Sequence, residues 1–371
     1  MTKTFAATAA LMGTIIGAGI LGIPFVVMKS GFFPGIFNII ILGTIIIFVS
    51  LCLGEITLRT KSDHQLTGYA EKYLGKKGKI LMFIASGFGI YSAILAYLIG
   101  ESESLSFLFF ETASYQIPIG IAFWLFLSIL SYFGLKTLER GEETGLILII
   151  IFLISIILTG WNKIDIHNLS YTNYQHFFTP FGVVLFAFLS FSAIPEIKRI
   201  LKNKQLTKRL IISAYIFTII IYIIFTFLVL GIKGQNTPQI ATLALGKPFI
   251  LLGIVTMFTA YFALSTALID TLKLDLDLTK NKSWFIAVSI PLIFFIILKL
   301  INSANFIEVI GIGGAISGSL TAILILIMHH KSKFLGDRHP EYSLPNSKFL
   351  SFILVLIFFI GMLMEIINIL Q

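Results

Sequence analysis

Eleven separate runs of predominantly apolar residues constrain this chain more than any other feature. They fall at about 5–28, 33–58, 79–103, 117–134, 144–161, 178–200, 209–231, 248–272, 284–300, 305–328 and 349–369. A helix of roughly 20 residues is what crosses the hydrocarbon core of a bilayer. Several runs are rich enough in Ile and Phe to have strand propensity, but their length and lack of alternation speak against a barrel. The expected fold class is therefore an all-α polytopic membrane protein with about 11 transmembrane helices. Composition agrees: 57% of residues are hydrophobic and 12% charged, about half the charge of an ordinary soluble domain.

The net charge of +9 raises the question of nucleic acid, and the placement of the basic residues answers it. They sit in short segments between apolar runs, not on one face of a polar domain, so no nucleic-acid partner is expected. With the N-terminus inside, 22 of the 27 Lys and Arg residues fall on the cytoplasmic side. Only Lys29, Lys163, Lys233, Lys247 and Lys299 fall elsewhere. The positive-inside rule thus predicts a multi-pass protein of the cytoplasmic membrane, and the odd span count puts the C-terminus outside.

Cys52 is the lone cysteine, so neither an intrachain disulfide nor a cysteine metal cluster is available. The first run lacks a small-x-small cleavage site and continues into Gly22-Ile23-Pro24, unlike a cleavable signal. The polar stretches 59–78, 162–176 and 329–348 are loop-sized, so 1–371 reads as a single transmembrane domain. Thr60 to Lys79 alternates like a surface helix (Leu66, Tyr69, Ala70, Tyr73, Leu74) and is expected to lie on the membrane face.

The first span contains Gly13-Thr14-Ile15-Ile16-Gly17-Ala18-Gly19-Ile20-Leu21-Gly22-Ile23-Pro24. Glycine weakens a helix and Pro24 removes a donor. Backbone groups freed at this depth survive only against protein or a water-filled cavity. A break here would offer N–H groups to a carboxylate and carbonyls to an ammonium or a cation. The plainer reading is close helix packing through Gly13-x-x-x-Gly17. The sixth span favours the break: Phe181 to Glu196 carries Ser190 and Ser192 near its middle, followed by Pro195. Interrupted spans in matching positions of two halves mark transporter sites. Their five-helix separation implies a five-helix repeat at 5–161 and a second, inverted one at 178–328, with 349–369 as an extra helix.

These stretches resemble a known family. GTIIGAGILGIPFVVMKSGFFPG, LGEITLRT at the end of span two, FGVVLFAFLSFSAIPEI in span six, Asp270 and GIGGAISGS in span ten are similar to the amino acid/auxin permease family. They are also similar to its hydroxy- and aromatic-amino-acid permease relatives, within the amino acid–polyamine–organocation superfamily. The resemblance implies a fold like that of the bacterial leucine transporter, with substrate between spans one, three, six and eight. It implies that amides of Gly17, Ala18 and Gly19 hold the substrate carboxylate. Carbonyls of Thr14, Ile15, Phe186 and Ala187 would face its ammonium. Phe188, Ser190 and Phe191 would line the side-chain pocket, closed by Tyr91 or Ser92 of span three.

For coupling, the resemblance implies a sodium between carbonyls of Gly13 and Ile16 and hydroxyls of span eight. Thr259 is present there, but Ala260 stands where relatives often carry serine, which favours a proton over sodium. No histidine falls within the runs as bounded above, and the ionisable residues near their ends are Glu55, Glu101, Glu196, Asp270, Glu308 and Glu365. Glu55, flanked by apolar turns, is the candidate for gating or proton movement. The other carboxylates read as paired or solvated helix ends. The glycines at 311–318 read as packing or helix flexibility, since no lysine follows to make a phosphate loop.

The expected function is secondary active transport of neutral amino acids, with aromatic and hydroxy ones included, by proton-coupled symport. The alternative is a receptor of the germinant type on the same fold, binding an amino acid without moving it. Leu189-Ser190, where relatives often show glycine, keeps that alternative open. An enzyme is not expected, because no nucleophile–base pair or metal-ligand cluster lies at membrane depth. Expected partners are an amino acid and the lipid bilayer, with a proton or sodium as the only accessory species and no cofactor. The choice of amino acid and the oligomeric state stay open.

Overall fold

The computed structural model describes residues 3–133, 151, 154–201, 203–275, 278–301 and 305–370. Among them, nine helices are long and apolar enough to cross a bilayer, and no strand forms. The nine match expected spans two to four and six to eleven. The first span is a broken pair of shorter helices, and half of the fifth, 144–161, lies outside the described residues together with Lys136 and Arg140. The chain is an all-helical, multi-pass membrane protein. Large apolar side chains such as Phe33, Phe126, Phe133, Phe285 and Phe352 cover its outer surface, as lipid-facing positions require.

Span two packs against spans six, seven and ten, and span three packs against spans four, eight, nine and ten. Span three is a 45-residue helix, Leu66–Phe110, interrupted only at Gly75, whose φ of 75° turns the chain sharply. The expected surface helix is thus the first arm of this element. Its apolar face differs from expectation: Leu66, Tyr69, Ala70 and Tyr73 are buried in protein, with Tyr73 bonded through its hydroxyl to Thr60 Oγ1 (2.7 Å). The bundle, not lipid, covers that face.

Loops expected on one side do touch one another. Gly31, at a φ of 92°, bridges to Thr172, and Asp165 N–H donates to Gly231 O (2.9 Å). These contacts join loops 1–2, 5–6 and 7–8. At the opposite end, Asp337 pairs with Lys72 and receives the Lys61 amide (3.0 Å), while Lys198 pairs with Asp63 (2.8 Å). The 336–347 connector is thereby strapped to loop 2–3, which the Lys198–Asp63 pair ties in turn to span six.

The tenth helix runs on to Leu335, seven residues past its expected end. This overturns the reading that no span holds a histidine, because His329 is buried within it. Its Nε2 lies 2.9 Å from Glu55 Oε2. Glu55, fully buried, also receives Arg59 Nε (2.8 Å), Lys333 Nζ, Ser343 Oγ (3.1 Å) and the Leu344 amide (2.7 Å). Span two, span ten and the strap thus converge on one carboxylate.

Glu55→Ala leaves Arg59 and Lys333 without their counter-charge, and the expected cost is about 3–5 kcal/mol, measured as a fall in the unfolding temperature in detergent. The strap has a pH limit too. The lysines that donate to Asp63 and Asp337 hold both carboxyls below their ordinary range. Their stabilisation is complete above that range and is lost as pH falls through the lowered values. Hydrogen exchange at 336–347 is therefore expected to stay slow at neutral pH and to rise below about pH 4; exchange that ignores pH would remove these pairs from the strap.

Candidate functional site

The helix that begins span one ends at Ile15. Its last bonds are Ile16 N–H to Met12 O (2.7 Å) and Gly17 N–H to Ile15 O (2.9 Å). Gly17 is extended (φ −86°, ψ −162°), a tight turn runs over Ala18–Gly22, and a second helix covers Ile23–Ser30. Pro24 sits in the first turn of that second helix, where no amide is needed. No side chain caps the turn at Ala18, so its first amides are open at the start of a helical segment.

Span six breaks in the same manner. Pro180–Phe188 is helical, Leu189 is extended, and Ala193–Ile200 resumes the helix. The two breaks meet. A Cβ built on Gly19 would stand 2.8 Å from Ala187 Cα, so only glycine permits that approach.

Two tyrosines of span seven (Thr207–Lys233) hold the junction. The Tyr222 hydroxyl lies 2.8 Å from Ile15 O and 2.7 Å from Ala187 O, one carbonyl from each break. A hydroxyl has one hydrogen, so it can serve only one of the two at a time. Two turns earlier on the same face, Tyr215 Oη receives Ser50 Oγ of span two (2.8 Å) and pairs with Ser190 Oγ (2.7 Å). The Phe188 ring lies between both tyrosines, 5.0 Å from Tyr222 and 6.4 Å from Tyr215. Both hydroxyls are fully buried, where an unmet polar group costs roughly 1–3 kcal/mol.

The junction gathers Ile15, Gly17, Ala18, Gly19, Phe186, Ala187, Phe188 and Ser190, and Thr14 closes the last turn before the break. Phe191 is buried in the turn of span six, while Phe186 O already accepts the Leu189 amide (3.1 Å). Of the span-three positions, Tyr91 Oη donates to Ile286 O of span nine (3.4 Å), whereas Ser92 packs on Gly313 of span ten, which also touches the Phe186 ring. Tyr97, more than a turn further on, faces the junction. Its hydroxyl would be 3.8 Å from a Cβ on Gly17, and its ring meets Phe186 edge-on at 6.4 Å.

Of the coupling positions, Thr259 donates to Thr256 O of its own helix (3.0 Å). Span eight meets the broken first span chiefly at the Ala18–Gly22 turn, and the helix carrying Gly13 packs chiefly on spans six and seven. Ile16 lies in the break itself. Glu55 spends its oxygens on His329, Arg59, Lys333 and the strap, in a cluster that includes none of the junction residues.

Tyr97, Tyr215, Tyr222 and Ser50 escaped the sequence reading. The available signal was Tyr215 and Tyr222 seven residues apart in an otherwise apolar span, since a buried Tyr O–H needs an acceptor. Tyr222→Phe removes the one hydrogen offered to Ile15 O and Ala187 O. A loss of about 1–3 kcal/mol is expected, seen as a lower unfolding temperature in detergent; an unchanged value would mean that the hydroxyl does not hold the junction.

A model of the tryptophan/tyrosine permease family matches residues 1–245, the stretch that carries both breaks and both tyrosines. A "Glutamine transporter 2" of Aliivibrio fischeri is 24% identical over 242 residues, 63% of this chain and 62% of the relative. A "Tyrosine-specific transport system 1" of Haemophilus influenzae is 31% identical over 121 residues, 32% of this chain and 30% of the relative. A "Vacuolar amino acid transporter 2" of Saccharomyces cerevisiae is 24% identical over 164 residues, 40% of this chain and 34% of the relative. The chain thus spans less than two thirds of the length of each of these relatives. With the match covering residues 1–245 of 371, the chain belongs to the tryptophan/tyrosine permease family.

Proposed function

We propose that this chain is a secondary active permease that carries neutral amino acids, aromatic ones included, by proton-coupled symport with alternating access. The observation that carries this reading is the meeting of two broken helices at one place, with the Tyr222 hydroxyl 2.8 and 2.7 Å from a carbonyl of each. One hydrogen faces two acceptors, and an ammonium group brings three. In this reading the substrate ammonium takes the carbonyls of Ile15 and Ala187, with Thr14 and Phe186 alongside. The amides of Gly17, Ala18 and Gly19 take its carboxylate, the Gly17 amide exchanging its bond to Ile15 O. Phe188, Ser190 and Phe191 then border the side chain, and Tyr97 joins Ser92 in the covering role.

The relatives named for glutamine, tyrosine and amino acids support this substrate class. The same reading takes the architecture as two inverted five-helix repeats, 5–161 and 178–328, with 349–369 outside them, as in the bacterial leucine transporter. It places the protein in the cytoplasmic membrane with its N-terminus inside. Sodium at Gly13, Ile16 and Thr259 is the competing coupling scheme. The back-bonded Thr259 and the methyl of Ala260 favour the proton.

Thermal unfolding of the purified protein with each of the twenty amino acids, with and without sodium, tests the site. A ligand at 100 times its Kd stabilises the folded state by about 2.7 kcal/mol, so at least one neutral amino acid should raise the unfolding temperature without sodium. Counterflow of that labelled amino acid in proteoliposomes tests transport. Stabilisation without exchange would make the protein a receptor, and no stabilisation by any amino acid would overturn the site.

A further inference from the structure

Glu101 lies one helical turn beyond Tyr97 on span three, on the same face of the helix. Its side chain is 0% exposed, and neither carboxyl oxygen has a hydrogen-bond partner. It faces the Phe258 backbone of span eight. The neighbouring Gly100 packs on Met257 of span eight and Phe306 of span ten. An ionised carboxylate taken out of water without a donor is among the costliest groups to bury. In this closed arrangement the side chain is therefore accommodated as the neutral acid.

The charged groups around it are committed elsewhere. The lysine on that side, Lys299 of span nine, donates its Nζ to Gln116 Oε1 of span four (2.6 Å). Glu308 of span ten is held in the capping box with Asn305. Lys247, at the start of span eight, pairs with Glu111 (2.7 Å). The other titratable neighbours are tyrosines: Tyr261 of span eight, whose hydroxyl is also buried and unpartnered, and Tyr97, which faces the break. Glu55 contrasts with all this, because its oxygens are filled by five donors that tie three segments together.

We infer that Glu101 is the group that takes up and releases the coupling proton. This rests on the transport reading above. When the bundle opens to water on the proton-rich side, the carboxylate accepts one proton. Closure around the substrate needs the neutral acid, since the closed form offers no counter-charge. Opening to the other side rehydrates the group, and the same proton leaves to water. The empty carrier returns with Glu101 ionised and solvated by water in the vacated substrate site, so one net proton moves with each substrate.

The test uses the full chain in proteoliposomes with labelled tyrosine, tryptophan and glutamine. Two modes are compared: accumulation driven by a pH gradient, and counterflow with no gradient. Glu101→Gln, a permanent neutral mimic, should lose gradient-driven accumulation by about tenfold or more while counterflow continues. Accumulation at the wild-type level in E101Q overturns the inference and leaves the transport reading intact. Failure of the wild type to counterflow any of the three defeats the transport reading itself.

Should E101Q not fold, calorimetry of substrate binding to the wild type in two buffers of different ionisation heat decides the matter. Proton uptake on binding that weakens as pH falls, retained in Glu101→Asp, supports the inference. Binding without proton uptake overturns it.

Discussion

Peptide groups released from a helix inside a bilayer find no water, so each must be met by another part of the protein. That requirement organises the centre of this structure. Ile15 and Ala187 end their helices within reach of one another, and the side chain that meets both comes from a third span. Tyr222 can do so because Phe188 packs on its ring and because Gly19 lets the two breaks approach. The junction is satisfied but not saturated. It has one hydroxyl hydrogen for two carbonyls and a turn at Ala18 whose first amides no side chain caps.

Much of this was legible in the residues. Glycine density around Gly17 and the Ser190–Pro195 stretch forecast two interruptions, and both occur. Run lengths forecast seven of the nine spanning helices to within a few residues, while spans three and ten run well past their expected ends. Where the reading fell short, the missing information was three-dimensional. Span three has no proline or internal break near the site to fix its register, so the reading named Tyr91 and Ser92 and missed Tyr97. The tenth helix continues past its apolar run because Lys333 and His329 bond to Glu55 on another span, a pairing no local pattern encodes. The apolar face of Leu66–Leu74 announced burial correctly and gave no sign that the covering surface would be protein.

The carboxylates divide along the same line. Glu55, Asp63 and Asp337 are closed by basic neighbours at one end of the bundle, and they bind loops to helices. Glu101 sits amid apolar side chains with nothing to close it. Residues of one chemical type thus serve as fasteners where cations reach them. Where none do, the same type becomes a group whose charge and conformation are linked.

Span three also has a mechanical aspect. From the bend at Gly75 to Tyr97 it is an uninterrupted rod of about 33 Å at 1.5 Å per residue. A swing of only ~10° about that bend would carry the far end some ~6 Å, more than the width of a helical turn. Tyr97 and Glu101 ride near the tip of this lever, and the Leu66–Leu74 arm is clamped at its fulcrum. Small adjustments beneath the strap are thereby magnified where the two broken helices meet.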